Sequence, residues 1–132
     1  TTFARPNLSY SAIQDEAKEA RLLTILDKVP GTAIVYVRSR RQTEQVAEWL
    51  GRQAVAATFY HAGLTARDRL ARQDAWLAGQ VRVMVATNAF GMGIDKPDVR
   101  LVVHLDLPET LEAYYQEAGR AGRDGQRAYA VL

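Results

Sequence analysis

Gln116, Arg120 and Arg123 stand at spacing i, i+4 and i+7 in the stretch Tyr115-Gln-Glu-Ala-Gly-Arg-Ala-Gly-Arg-Asp-Gly125. A helix continuing through them sets all three side chains on one face. Gly119 and Gly122 reduce the bulk beside each guanidinium and allow a ligand or a partner domain to come close. Two forked cations with an amide ahead of them form a clamp for an oligophosphate. The same residues also suit a glycine-terminated helix with exposed arginines. A second group lies in Ala86-Thr-Asn-Ala-Phe-Gly-Met-Gly-Ile-Asp95, where the glycines permit a tight loop after an apolar run. Thr87 and Asn88 can hydrogen-bond a phosphodiester backbone there, and Asp95 can accept from a ribose hydroxyl. The alternative is a plain loop with Phe90 and Met92 in the core.

These groups need a scaffold, and the apolar pattern describes one. Thr32–Val37 is a continuous, mostly β-branched run after Pro30-Gly31, as expected of a strand buried on both faces. Ser39 with Gln42 three residues on forms a capping box for a helix with Val46, Trp49 and Leu50 on its apolar face, ended by Gly51. Val55–Tyr60 reads as the next strand, and Thr65 with Asp68 opens a helix running to Gly79. Arg82–Thr87 and Arg100–Leu105 are two further buried strands. Thr110 to about Ala118 is a helix burying Leu111, Tyr114, Tyr115 and Ala118, and Arg127–Leu132 is a last strand. Upstream, Leu22, Ile25, Leu26 and Val29 make the stripe of a first helix behind a short strand near Leu8–Ile13.

Alternating strands and helices with short connections predict an α/β fold with a mostly parallel sheet and helices on both faces. Ligands bind such sheets at the carboxyl ends of the strands. Here those ends carry Arg38-Ser-Arg-Arg41, His61-Ala-Gly-Leu64, the Asn88–Asp95 loop and Asp106-Leu-Pro108. One edge is therefore polar, glycine-rich and arginine-bearing, which suits anions.

Composition narrows the function. The chain has 132 residues, the size of one domain, and no cysteine, which excludes disulfides, thiolate metal sites and thiol chemistry. No apolar run reaches membrane-span length and no signal peptide opens the chain, so a soluble intracellular domain is expected, without a membrane partner. Fourteen of the 17 basic residues are arginines, yet the net charge is only +2, so their placement carries more meaning than their number. No Gly-x-x-x-x-Gly-Lys-Ser/Thr loop, Gly-x-Ser-x-Gly elbow or His-Glu-x-x-His pair occurs in the chain. His104 lies within an apolar strand and reads as a satisfied core residue. No metal site is expected.

Val85-Ala-Thr-Asn-Ala-Phe-Gly-Met-Gly-Ile-Asp-Lys-Pro-Asp-Val-Arg100, followed by Tyr114-Tyr-Gln-Glu-Ala-Gly-Arg-Ala-Gly-Arg-Asp-Gly125, closely resembles motifs V and VI of the RecQ family of DNA helicases. Tyr60-His-Ala-Gly-Leu64 and Ser39-Arg40 resemble that family's motifs IVa and IV. Phe3-Ala-Arg-Pro-Asn-Leu8 resembles the segment leading into its second motor domain. Departures are small: Ala4 stands where an acidic residue or Asn is usual, and Val37 where Cys is often found.

The resemblance implies that residues 1–132 are one three-layer, RecA-like second motor domain of a longer superfamily 2 helicase. ATP with Mg²⁺ would then be bound mainly by a first RecA-like domain of the same chain. Arg123 would be the arginine finger, with Arg120 and Gln116 organising it. Asp95 and Gly93 would meet the nucleotide, Asp95 at the ribose. Ser39, Arg40, His61, Thr87 and Asn88 would grip single-stranded DNA at a duplex junction. The isolated chain is expected to hydrolyse no ATP, and the whole protein to serve repair and recombination, in bacterial cytoplasm at the nucleoid or in a eukaryotic nucleus. The rivals are an RNA helicase motor domain, whose motif VI usually opens with His-Arg, and a non-catalytic phosphate- or nucleic-acid-binding α/β module.

Overall fold

The computed structural model describes residues 8–11, 18–87, 90, 96–106 and 111–131. Six strands, β1 (Leu8–Ser11), β2 (Ala33–Tyr36), β3 (Ala57–Tyr60), β4 (Val83–Ala86), β5 (Leu101–His104) and β6 (Ala128–Val131), form one sheet. Four helices connect them: α1 (Lys18–Lys28), α2 (Arg40–Arg52), α3 (Ala66–Leu77) and α4 (Leu111–Ala118). The sheet order is β1-β6-β5-β2-β4-β3 and every pairing is parallel.

Side chains alternate across the sheet and sort into two cores. Ala33, Val35 and Val37 face α1 and α2, meeting Leu22, Leu26, Val46 and Leu50. Ile34 and Tyr36 face the other way, toward Trp76 of α3 and Tyr114 and Ala118 of α4. Because β2, β4 and β5 are covered on both faces, all their residues are buried, which is why they read as unbroken apolar runs. The three-layer α/β architecture expected from the sequence is the one observed.

Local signals account for the helix starts. Ser39 Oγ accepts from Gln42 N–H while Gln42 Oε1 accepts from Ser39 N–H, both at 3.1 Å, closing the capping box. Thr65 Oγ1 likewise accepts from Asp68 N–H at 3.1 Å. One helix end differs from expectation. Gly51 does not stop α2, which runs to Arg52, and Ala54 takes the left-handed position with φ of 63°. Val55 N–H reaches Leu50 O at 2.9 Å and Ala54 N–H reaches Gly51 O at 3.1 Å, the paired bonds of a Schellman ending. A β-carbon costs roughly 1–2 kcal/mol in that conformation. Ala54→Gly is therefore expected to stabilise the domain by about 0.5 kcal/mol or more, after the larger backbone entropy that glycine loses. Urea unfolding midpoints check this, and a lower midpoint for the variant would contradict it.

Candidate nucleotide and nucleic-acid interface

The parallel register fixes which residues share an edge. Tyr36 lies opposite both Ala86 and His104, and Tyr60 lies opposite Ala86. One step further along each strand come Val37, His61, Thr87 and Leu105, all at the carboxyl end of the sheet. Asp106 ties this edge together by accepting from Arg38 N–H at 2.9 Å and pairing with Lys18 at 3.6 Å.

Ser39, Arg40 and His61 converge here. Arg40 begins α2, and its Nη1 would lie 3.2 Å from a β-carbon at Gly63. The same β-carbon would lie 3.1 Å from the His61 ring, so a side chain at 63 would push the guanidinium and imidazole back by a few tenths of an ångström. His61 Nδ1 accepts from Gly63 N–H at 3.1 Å, and Nε2 donates to Glu44 at 2.9 Å. Both ring nitrogens are thus engaged while Glu44 stays in place. Arg69 braces the loop from α3, donating to the carbonyls of Ala62 and Leu64 at 3.1 and 3.2 Å. Glu44 and Arg69 were not singled out from the sequence. Glu44 sits one helical turn after Arg40, which is the only signal it gives. Thr87 is buried, with its N–H on Tyr60 O at 3.4 Å and its carbonyl accepting from Phe90 N–H at 3.1 Å. Phe90 is itself in the core, as the alternative reading of its loop expected. Asn88, Gly93 and Asp95 lie outside the described residues.

The arginine pair is built differently from a helix face. α4 stops at Ala118, and the chain tightens as Arg120 and Ala121 N–H bond back to Glu117 and Ala118 carbonyls at 3.2 Å. Gly122 then turns with φ of 66°, its N–H donating to Val99 O at 2.8 Å. Asp124 N–H bonds Pro97 O at 2.9 Å, and the Asp124 carboxylate accepts from Arg100. That hydrogen bond holds the Asp124 carboxyl below the usual carboxylate range. The continuous helix through Arg123 considered from the spacing is therefore corrected to a turn anchored on residues 97–100. The turn brings Arg120 and Arg123 to one recess, walled by Ile34, Trp76, Phe90, Lys96 and Val99. Gln116 is exposed on the last turn of α4 and does not line it. Lys96 adds a third cation that sequence reasoning missed; its Nζ donates to Leu77 O at 3.1 Å and pairs with Asp98 at 3.2 Å.

Behind the recess His104 corrects another expectation. Its Nε2 donates to Glu117 Oε1 at 2.9 Å, but its Nδ1 is buried with no partner among the described residues. Tyr36 Oη and Arg120 Nε are buried and unpaired in the same sense. Burial pushes the Tyr36 phenol well above its ordinary value, against the lowering pull of Arg120.

Arg120 and Arg123 line the recess with two guanidinium groups of the kind that bind phosphate, so the residues present fit a nucleotide phosphate, while the Lys96 charge is paired with Asp98. Among the described residues no three His, Cys, Asp or Glu side chains group as a metal site, and no helix is long and apolar enough to cross a membrane.

A parallel sheet covered by helices on both faces, shared with solved helicase structures, is a RecA-like α/β domain. The fold is shared with the ADP-bound RNA helicase Prp28 of Chaetomium thermophilum, at a TM-score of 0.81 and 33% identity over 95% of this chain and 31% of that one. The chain belongs to the helicase conserved C-terminal domain family, whose model matches residues 17–125, and within it is of the RecQ type. It is 46% identical to the putative ATP-dependent DNA helicase Q1 of Caenorhabditis elegans over 98% of its length. It is also 46% identical to the ATP-dependent DNA helicase RecQ of Pasteurella multocida over 99% of its length. The chain spans about a fifth of those two relatives, 22% and 21%.

Proposed function

We propose that this chain is the second motor domain of an ATP-dependent, RecQ-like DNA helicase acting in repair and recombination. The observation that carries the reading is the delivery of Arg120 and Arg123 to one recess by a turn anchored on the 97–100 segment. In this reading a first RecA-like domain of the same protein holds ATP and Mg²⁺. Arg123 reaches the γ-phosphate, with Arg120 and Gln116 organising it, while Asp95 and Gly93 meet the nucleotide, Asp95 at the ribose. Ser39, Arg40, His61, Thr87 and Asn88 hold the backbone of single-stranded DNA at a duplex junction. His61 contributes by seating the Gly63 backbone beside Arg40, because its ring nitrogens bond Glu44 and Gly63. The protein then works at the bacterial nucleoid or in a eukaryotic nucleus.

The likeness to Prp28 favours a second reading, an RNA helicase motor. Phosphate release by the full-length protein, measured with single-stranded DNA and with RNA of matched sequence, separates the two. Stronger stimulation by DNA is expected, and stimulation by RNA alone would transfer the chain to the second reading. Neither nucleic acid having any effect would favour a binding module without turnover.

The grip has its own test. Arg40→Ala in the full-length protein is expected to weaken single-strand binding alike for all sequences, because backbone contacts carry no base information. Loss of one phosphate-neutralising cation flattens the log–log salt slope by roughly 0.7. Titrations between low and moderate salt measure it, and an unchanged slope removes Arg40 from the contact set.

A further inference from the structure

Among the described residues, the three buried side-chain polar atoms that lack a hydrogen-bond partner are Tyr36 Oη, His104 Nδ1 and Arg120 Nε. They are not scattered. Tyr36 and His104 are register partners on β2 and β5, and their rings stack at 5.0 Å with 19° between planes. His104 donates to Glu117 at 2.9 Å, and Glu117 is in turn the backbone acceptor for Arg120 N–H at 3.2 Å. The Arg120 guanidinium and the Glu117 carboxylate both act on the Tyr36 phenol. Tyr114 also packs against the His104 ring, with centroids 4.8 Å apart. A buried polar group ordinarily finds a partner, and a half-closed network in an apolar core lowers stability. Fold alone gives no reason to keep it, since phenylalanine at 36 would fill the same space without a buried hydroxyl.

We propose that Tyr36, His104 and Glu117 form a positioning relay that sets Arg120, and through the Arg120–Arg123 turn sets Arg123, against the nucleotide. The relay runs from the carboxyl ends of β2 and β5, beside the DNA-facing edge, to the recess. Glu117 fixes the start of the turn through its carbonyl, and its side chain is held by His104. The Tyr36 ring holds His104 in plane, and the field of the Arg120 guanidinium reaches its buried hydroxyl. None of the three touches nucleotide, so they are positioning residues, and the inference rests on Arg120 and Arg123 acting at ATP as proposed above.

Tyr36→Phe in the full-length protein separates this from a structural role. Removing a buried hydroxyl that finds no partner within hydrogen-bond geometry among the described residues leaves the melting temperature unchanged or raises it. The relay instead predicts a kcat for DNA-stimulated ATP hydrolysis lowered about 10- to 100-fold, with KM for ATP little changed, the size expected of a small misalignment. Glu117→Ala is expected to lower kcat similarly, and Glu117→Gln, which keeps an acceptor for His104, to recover most of it. Wild-type kcat in Tyr36→Phe overturns the relay, as does a Glu117→Gln variant no better than Glu117→Ala. Arg123→Ala measured alongside distinguishes the failures: if it too retains turnover, the reading of the arginines fails, and if it alone abolishes turnover, only the relay does.

Discussion

Arg123→Ala in the full-length protein is expected to lower kcat for DNA-stimulated ATP hydrolysis by about 10³- to 10⁵-fold, or roughly 4–7 kcal/mol. Binding of ATP and DNA and the melting temperature should change little. The asymmetry follows from where charge develops: a guanidinium aimed at the transferring phosphoryl stabilises the transition state more than the ground state. Arg123 is exposed, at the mouth of a recess it shares with the half-buried Arg120. Its turn is held by backbone bonds from Gly122 to Val99 and from Asp124 to Pro97, so the fold should survive its truncation. Arg123→Lys should not restore turnover, because an ammonium lacks the planar fork. Steady-state phosphate release beside a thermal melt decides the matter. A lowered melting temperature with near-normal turnover would make Arg123 a structural residue of the turn.

Trp76→Ala is expected to destabilise the domain by about 3–5 kcal/mol, the largest stability effect of a single truncation here. Trp76 is 1% exposed on α3, and its Nε1 donates to Ala33 O on β2 at 3.1 Å. Its ring meets Phe90 edge-on at 5.3 Å and floors the recess below Arg120 and Arg123. Truncation opens a cavity between α3 and the sheet and removes the donor that ties them. Trp76→Phe fills most of that volume and loses only the indole bond, costing about 1 kcal/mol beyond its smaller area. Urea midpoints at constant slope measure both variants, and a Trp76→Ala shift below about 1 kcal/mol would contradict this packing.

Strands and helix starts were legible because their causes are local. A strand buried on both faces must be apolar at every position, as Ala33–Tyr36 and Val83–Ala86 are. Ser39 and Thr65 cap through side chains three residues away from the N–H they satisfy. The edge at the strand ends followed from parallel topology, which placed Ser39, Arg40 and His61 on it, and the resemblance to RecQ motifs added Thr87 to that group. Most of what escaped was set by partners outside the local segment. Spacing alone allowed a helix through Arg123, but the bond from Gly122 to Val99 pulls the chain off the helix axis. His104 looked like an ordinary core histidine because Glu117, its partner, comes from another element. Ala54 carries no signal for a left-handed residue, and the bond from Val55 to Leu50 imposes it.

The most direct measurement compares two nucleotides on one enzyme. Full-length wild-type protein and Arg123→Ala, each saturated with single-stranded DNA, are titrated with a non-hydrolysable ATP analogue and with ADP–aluminium fluoride, which mimics the phosphoryl in flight. The arginine-finger account predicts near-equal affinity of the two proteins for the ATP analogue. It also predicts weakening of the transition-state mimic by about 10²-fold or more in Arg123→Ala. Equal weakening of both ligands, or of neither, would contradict it.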